Sequence, residues 1–271
     1  MESIPAELIL RVPGCESGDP PLSMRPLAGG RGVNSVWRVV TDAGDFVLRL
    51  RHEPIDRPGS VSRFELASHC LAAAAGLAPP VVDSAPDGRW VLMQFVAAPA
   101  WSDSQLLSEA GIDALGEILR RLHALDCGTM ARMDAAGIAR DHVAVLRQRP
   151  GDAGPTAVAL AAIEGDWHEL GRLSDRAVLN HGDLMAANLL GPAAGACPLL
   201  VDWEYAQRAD PTWDVACLLD YYPELAPRLD RLLRACGLAT ADDRHILALQ
   251  RRVFTGLNRL WKQTGTGNWI S

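Results

Sequence analysis

Hydrophobic and polar residues alternate along the first third of the chain, and this pattern predicts strands. The predicted strands cover residues 36–40, 46–51, 81–82 and 90–96. A turn at residues 42–44 separates the first two strands. The segment SRFELASHCLAAAA predicts a helix at residues 62–75 that ends at Gly76. The N-terminal part is therefore expected to be a sheet with one helix.

Beyond residue 97 the apolar residues recur every three or four positions, as they do on one face of a helix. Predicted helices cover residues 113–125, 141–147, 157–172 and most of 214–262, with short strands at 187–190 and 199–202. The sequence therefore predicts an α+β fold of two lobes. A strand-rich N-terminal lobe would span residues 1–96 and a mainly helical C-terminal lobe residues 97–271, with a ligand cleft between them.

The charge of the chain weighs against a nucleic-acid partner. The 33 acidic residues outnumber the 26 lysines and arginines, for a net charge of −7, whereas nucleic-acid binders usually present basic surfaces. This balance is compatible with a cationic ligand, although solubility alone also explains it. We find no apolar run long enough for a bilayer and no basic region ahead of the N-terminal apolar stretch, so we expect a cytoplasmic protein without a membrane partner.

Two features of composition constrain the chemistry. The six cysteines form no CxxC pair, which favours buried free thiols over a zinc site or a disulfide framework. Lys262 is the only lysine, so a cation that binds phosphate in the first two-thirds of the chain must be an arginine.

The strongest chemical signal is the segment HGDLMAANLL at residues 181–190, followed by LLVDWE. It offers Asp183, Asn188 five residues later, and Asp202 at the end of an apolar strand. Phosphoryl transfer from ATP needs one carboxylate to orient the attacking hydroxyl, and an amide and a second carboxylate to hold Mg²⁺. Each residue alone could simply cap a turn or end a strand, but the ordered set is unlikely to arise by coincidence.

These segments, with DWEYAQRADPTWDVA, resemble the catalytic and metal-binding motifs of the aminoglycoside phosphotransferase and choline kinase superfamily, and most closely the bacterial choline, ethanolamine and thiamine kinases. The resemblance implies a protein-kinase-like fold with ATP and Mg²⁺ as cofactors. It implies that Asp183 is the catalytic base, that Asn188 and Asp202 are Mg²⁺ ligands, and that His181 supports the loop.

The resemblance also suggests a nucleotide site in the N-terminal lobe. Its candidates are Gly29, Gly30, Asn34, Arg49, Glu65, Gln94, Phe95 and Val96. A glycine-rich turn at residues 28–34 would approach the phosphates through backbone N–H groups. Arg49, with Arg51 as its competitor, would bind phosphate and pair with Glu65, and the segment 94–96 would bind adenine through its backbone.

The acceptor is expected to be a small molecule, since DWE leads to DPTWD within about eight residues. That spacing leaves no room for the loop with which protein kinases dock a protein substrate. Aromatic and acidic residues are interleaved after position 200 and suit an organic cation. Acceptor-site candidates are Trp203, Glu204, Tyr205 and Trp261, and Glu204 could instead support the metal.

Three functions remain open at this point. The first is a kinase of the choline, ethanolamine or thiamine type, the second an aminoglycoside O-phosphotransferase, and the third a catalytically silent kinase-like binding module. Other hydroxyl acceptors, such as an amino alcohol or a sugar, are also compatible with the sequence, as is GTP in place of ATP. The oligomeric state is open too.

Overall fold

The computed structural model describes residues 4–27, 34–52, 64–128, 130–148, 153–191 and 197–264. The strands are β1 (Ser23–Pro26), β2 (Asn34–Thr41), β3 (Gly44–Arg51), β4 (Val81–Ser84), β5 (Trp90–Gln94), β6 (Val178–Asn180), β7 (Leu189–Leu190), β8 (Leu199–Leu200) and β9 (Gln207–Ala209). The α-helices are α1 (Ala6–Ile9), α2 (Glu65–Ala74), α3 (Asp103–Leu106), α4 (Glu109–His123), α5 (Ala135–Leu146), α6 (Ala153–Leu173), α7 (Thr212–Tyr221), α8 (Leu229–Cys236) and α9 (Ala241–Thr264). Two 3₁₀ helices cover Ala186–Asn188 and Pro223–Arg228.

The first third of the chain forms one antiparallel five-stranded sheet in the order β1-β2-β3-β5-β4. β2 and β3 make a hairpin in which Thr41 faces Gly44, so the predicted turn closes the two strands as expected. The alternation in β3 points Phe46 and Leu48 into a small core, because successive side chains of a strand face opposite sides of a sheet. That core contains Ile4, Val12, Cys15, Val39, Phe46, Leu48 and Leu92.

The second and larger core lies among the helices. The apolar stripe of α4 is buried along its length, and α4 packs against α8, while α9 packs against α6 and α7. Helix α2 contributes Ala72 to this larger core. Just after the helix, the Leu77 carbonyl accepts a hydrogen bond from the Leu200 N–H of β8 at 2.8 Å. Helix α2 therefore bridges the sheet and the helical part.

The predicted α+β architecture, with a strand-rich N-terminal part and a mainly helical C-terminal part, is confirmed. The alternation did not predict α1, β1 or the β6–β9 pair, since all are four residues or shorter and carry no clear period. The predicted strand at 187–190 begins instead as a 3₁₀ turn. The boundary between lobes at residues 96 and 97 stays a prediction.

The cysteines are all unpaired, as the absence of CxxC pairs predicts, but they are not all buried. Cys70 is exposed on α2 and Cys197 is half-buried, whereas Cys15, Cys127, Cys217 and Cys236 lie in the interior. Within the described ranges, every helix is too short or too polar to cross a bilayer.

Gly116 sets how closely α4 approaches α8. A Cβ at this position would lie 2.1 Å from the Ala235 Cβ and 2.7 Å from the Ala235 carbonyl carbon. We expect Gly116→Ala to lower the free energy of unfolding by about 3 kcal/mol, because backbone atoms of two packed helices must separate. Urea unfolding followed by circular dichroism measures this change.

Gly165 in α6 is the matched control. It is exposed, and no atom lies within 4 Å of the position that a Cβ would occupy. Gly165→Ala should raise the free energy of unfolding by about 0.5–1 kcal/mol, the ordinary difference in helix propensity. Equal effects of the two substitutions would contradict the proposed role of Gly116.

Candidate active site

A short two-stranded ribbon brings the sequence motifs together. β7 pairs with β8, and the Val201 N–H donates to the Asn188 carbonyl at 3.0 Å. Asn188 immediately precedes the first strand and Asp202 follows shortly after the second. Because the strands are antiparallel, these two residues lie at the same end of the ribbon.

The Asn188 side chain is oriented by the Asp183 residue. Its Nδ2 donates to the Asp183 main-chain carbonyl and to Asp183 Oδ2, both at 2.9 Å. The two bonds use the amide hydrogens and leave the amide oxygen facing away from Asp183. That oxygen is a ligand of the kind that Mg²⁺ prefers.

Asp202 has an unusual backbone conformation. Among the non-glycine residues that the structure describes, it is the one with positive φ, at 66°. The left-handed region costs a residue with a side chain about 1–2 kcal/mol, and such conformations cluster at functional sites. The side chain is exposed, so this strained backbone presents a carboxylate to solvent rather than to the core.

Asp183 is almost completely buried, with 2% of its surface exposed. Burial, reinforced by the nearby Asp202 carboxylate, raises its pKa to about 7, although Tyr221 and Asn188 act in the opposite direction as hydrogen-bond donors. Its Oδ1 forms no hydrogen bond of normal geometry with the residues that the structure describes. A buried carboxylate oxygen without a donor is a natural acceptor for the hydroxyl of a ligand.

His181 occupies a structural position under this loop. It is fully buried, and burial lowers its pKa, so the ring is neutral at pH 7. Nε2 then donates to the Val201 carbonyl at 3.0 Å, while Nδ1 accepts the Asp183 N–H at 3.3 Å. The ring packs edge-on against Trp203, with centroids 4.8 Å apart.

Asp214, at the start of α7, anchors the turn before the proposed base, and the sequence analysis did not single it out. Its Oδ1 accepts the Gly182 N–H at 2.8 Å, and its Oδ2 accepts the His181 N–H at 3.1 Å. Gly182 has φ of 78°, and a Cβ there would lie 2.4 Å from the Tyr205 carbonyl oxygen. The second Asp of DPTWD was the available signal, but sequence alone does not reveal which backbone it meets.

Both arginines of β3 face the same carboxylate. Arg49 and Arg51 each form an ion pair with Glu65 of α2, as their shared strand parity allows. Burial lowers the pKa of Arg49, and Asp202 and Glu204 oppose that shift. Arg49 Nη1 donates no hydrogen bond to the described residues, which leaves a buried cationic donor beside the metal-ligand candidates.

Glu204 lies near the arginines of β3. It is 9% exposed and accepts a hydrogen bond from Asn34 Nδ2 at 3.3 Å. Burial and the Asp202 carboxylate raise its pKa, whereas Arg49 and Arg51 oppose that rise. The predicted glycines Gly29 and Gly30 lie outside the described residues.

The predicted hinge follows β5. The Gln94 N–H donates to the Pro80 carbonyl and the Phe95 N–H to the Asp45 carbonyl, both at 2.9 Å. The two N–H groups are therefore used inside the sheet region. An adenine ring bound here would have to form its hydrogen bonds with other backbone groups of the segment, such as the Val96 N–H.

An aromatic pocket opens beside the proposed base. It encloses about 530 Å³, part of it open to solvent. Its walls are Met133, Ile138, His142, Gly182, Tyr205, Gln207, Trp213, Tyr221, Phe254, Leu257, Asn258 and Trp261. Tyr205 and Trp261 contact each other with ring centroids 4.7 Å apart, so two of the predicted acceptor-site residues meet here.

Trp203 and Glu204, by contrast, lie outside this pocket. Trp203 is 1% exposed and packs between His69 and His181. The acidic residues that alternate with aromatic residues after position 200 are also absent from the described lining of this pocket. Asp210 binds Ser174 and Arg176, Asp214 holds the loop, and Asp220 accepts hydrogen bonds from Thr255 and Asn258.

A Mg²⁺ ion would find oxygen ligands here, although few come from the protein. The described residues hold no group of three His, Cys, Asp or Glu side chains arranged for a metal. The exposed Asp202 carboxylate and the Asn188 amide oxygen suit a Mg²⁺ ion that keeps waters and binds nucleotide phosphates as its other ligands. The donor chemistry therefore fits this metal.

Solved structures with the same fold include choline and ethanolamine kinases and aminoglycoside and spectinomycin phosphotransferases. A choline/ethanolamine kinase family protein from Mesorhizobium loti superposes with a TM-score of 0.74 at 21% identity, covering 98% of this chain and 87% of its own. Choline kinase LicA from Streptococcus pneumoniae gives 0.75 at 15% identity, with 98% and 92% covered. A spectinomycin phosphotransferase gives 0.63 at 16%, with 99% and 91% covered.

No curated protein sequence matches the chain significantly. The model of the phosphotransferase enzyme family, APH, matches residues 23–249, which include β1 to β9 and the first part of α9. This match confirms the superfamily that the motifs around Asp183 and Asp202 predict, and the chain therefore belongs to the APH phosphotransferase enzyme family.

Proposed function

We propose that this protein transfers the γ-phosphoryl group of ATP, with Mg²⁺, to a hydroxyl group of a small organic cation of the choline, ethanolamine or thiamine type. The observation that carries the proposal is the position of Asp183. Its buried carboxylate lies next to Gly182 and Tyr221, which line the aromatic pocket, and also contacts Asn188 on the metal-ligand side. One residue thus adjoins both reactants.

In this mechanism Asp183 is the base. Its unpaired Oδ1 accepts the hydroxyl of the acceptor, aligns it with the γ-phosphate and takes its proton during transfer. A bound Mg²⁺ offsets the charge of the phosphates. Asn188 and Asp202 would hold this ion, and its positive charge would favour the ionised form of the nearby Asp183.

The arginines of β3 are placed to bind the phosphates of the nucleotide in this proposal. Glu65 fixes Arg49 and Arg51, and their guanidinium groups face the region of Asp202 and Glu204. We assign Arg49 the phosphate contact, because its buried Nη1 has no acceptor among the described residues. The spectinomycin phosphotransferase structure contains ADP, and another structure of LicA contains AMP, which supports an adenine nucleotide.

The acceptor pocket favours a compact cation over a polycation. Tyr205, Trp213, Tyr221, Phe254 and Trp261 contribute aromatic faces, whose negative quadrupoles attract a quaternary ammonium or a thiazolium. Among the described residues that line it, none is a carboxylate. An aminoglycoside carries several ammonium groups and would need several such partners, so it is the second candidate.

A silent binding module is the remaining alternative, and Asp183→Asn separates it from an enzyme. We expect this variant to retain nucleotide binding and to lose turnover by about 10²–10⁴-fold, because an amide cannot accept the proton. Coupled ADP release measures turnover and calorimetry measures nucleotide affinity. Asp87→Asn, at an exposed position outside the site, is the control. Turnover of Asp183→Asn close to that of the control would contradict the assignment of the base.

The metal role of Asp202 can be separated from its backbone strain. Asp202→Ala should abolish Mg²⁺-dependent activity, because the charged ligand is lost. Asp202→Gly should be equally inactive but no less stable than the parent, since glycine adopts positive φ freely. Activity and thermal unfolding are measured on both variants over a Mg²⁺ titration. Persisting activity at ordinary Mg²⁺ concentrations would refute Asp202 as a ligand.

The pocket predicts how acceptors are ranked. Choline should be a better acceptor than its neutral isostere 3,3-dimethylbutan-1-ol, and Trp261→Ala should raise the KM of the cationic acceptor about tenfold while leaving that of ATP unchanged. Trp261→Phe retains an aromatic face and should show a smaller rise. A panel of choline, ethanolamine, thiamine and kanamycin tests the acceptor class, and turnover on kanamycin alone would exclude the proposed type.

A further inference from the structure

Two adjacent tyrosines at the end of α7 face different parts of the site. Tyr221 lines the aromatic pocket. Tyr222 is 7% exposed and lies outside that pocket; its hydroxyl accepts the Ala186 N–H at 2.8 Å and donates to Asp103 Oδ1 at 3.0 Å. Tyr221 therefore lies beside the proposed acceptor site, whereas the Tyr222 hydroxyl lies beside the turn that carries the proposed metal ligand Asn188.

The Ala186 N–H is the first donor of the 3₁₀ turn Ala186–Asn188, which carries the proposed metal ligand Asn188. Ala186 is 2% exposed, so its N–H has little access to water. The Tyr222 hydroxyl satisfies it, and without that acceptor the turn would keep a buried unpaired donor or move to expose it. The conformation of the turn thus depends on one phenolic oxygen.

The other partner of this hydroxyl belongs to the segment that follows the hinge. Asp103 begins α3, directly after residues that are bonded to the ribbon: the Trp101 N–H donates to the Leu189 carbonyl at 2.9 Å, and its Nε1 to the Gly191 carbonyl at 2.8 Å. Burial raises the pKa of Tyr222 to about 12, so the hydroxyl stays protonated and keeps its donor role. The Tyr222 hydroxyl therefore links the end of α7 to the turn Ala186–Asn188 and to the start of α3.

We propose that Tyr222 is a positioning residue for the metal site, which acts through Ala186 to hold the turn that presents Asn188, with Asp103 fixing the direction of its hydroxyl. This inference rests on the proposed function for its link to Mg²⁺. Its structural part, the bond to the Ala186 N–H, can be measured without any ligand.

The first test is hydrogen exchange in the ligand-free protein. Tyr222→Phe keeps the ring and removes the hydroxyl, so exchange at the Ala186 amide should accelerate at least about tenfold. Gly116→Ala, which lowers stability away from this loop, is the matched control for general destabilisation. An Ala186 amide that exchanges in Tyr222→Phe no faster than in the Gly116→Ala control would overturn the proposal.

The second test is the dependence on Mg²⁺. We expect Tyr222→Phe to lower kcat roughly tenfold, to raise the Mg²⁺ concentration for half-maximal activity several-fold, and to leave the acceptor KM nearly unchanged. Calorimetry should show that Mg²⁺ strengthens ADP binding to the parent protein and does so less for the variant. An unchanged Mg²⁺ dependence would sink the role of Tyr222 even if the melting temperature falls.

Asp103→Ala keeps the test decisive if Tyr222→Phe folds poorly. Asp103 is exposed, so its truncation should leave the fold intact while it frees the Tyr222 hydroxyl to rotate. The expected effect has the same direction and is smaller, and the double variant should be no worse than Tyr222→Phe alone. Strictly additive losses would contradict action through one hydroxyl. If Mg²⁺ does not change the affinity of the parent protein for ADP, that result would instead count against the proposed function.

Discussion

The geometry of the site depends on one buried carboxylate that accepts hydrogen bonds from the backbone. Asp214 accepts the N–H groups of His181 and Gly182, two consecutive residues of the turn. Hydrogen bonds to a charged acceptor are stronger than neutral ones, and this acceptor has no access to solvent. The residue after this turn is Asp183, so the anchor determines where the proposed base lies.

Two buried ionisable groups of the site, the Asp183 carboxylate and the Arg49 guanidinium, lack part of their polar partners among the described residues. The pKa of Asp183 is raised because a carboxylate is buried near another one, and the pKa of Arg49 is lowered because a guanidinium is buried. Each shift means that the charged form lacks a full set of partners. A metal ion and a polyphosphate would supply opposite charges to both, which is the electrostatic basis of the proposed mechanism.

The aromatic pocket does not share the acidic character of the chain as a whole. The chain is acidic overall, yet none of the described residues that line the pocket is a carboxylate, since Asp210, Asp214 and Asp220 form hydrogen bonds elsewhere in the fold. Recognition of a cation in such a pocket would come from ring faces more than from ion pairs. The net charge of this chain is therefore a poor guide to the residues that line this pocket.

The sequence by itself determined the strands around Arg49, the main helices and the phosphotransferase motifs, because period and motif spacing are local properties. The tertiary structure alone decided the rest. It paired both Arg49 and Arg51 with Glu65, buried Trp203 in the core, and set the Tyr222 hydroxyl against the turn that leads to Asn188. Such contacts join residues far apart in the chain, and the packing of α2, α7 and the ribbon selects them.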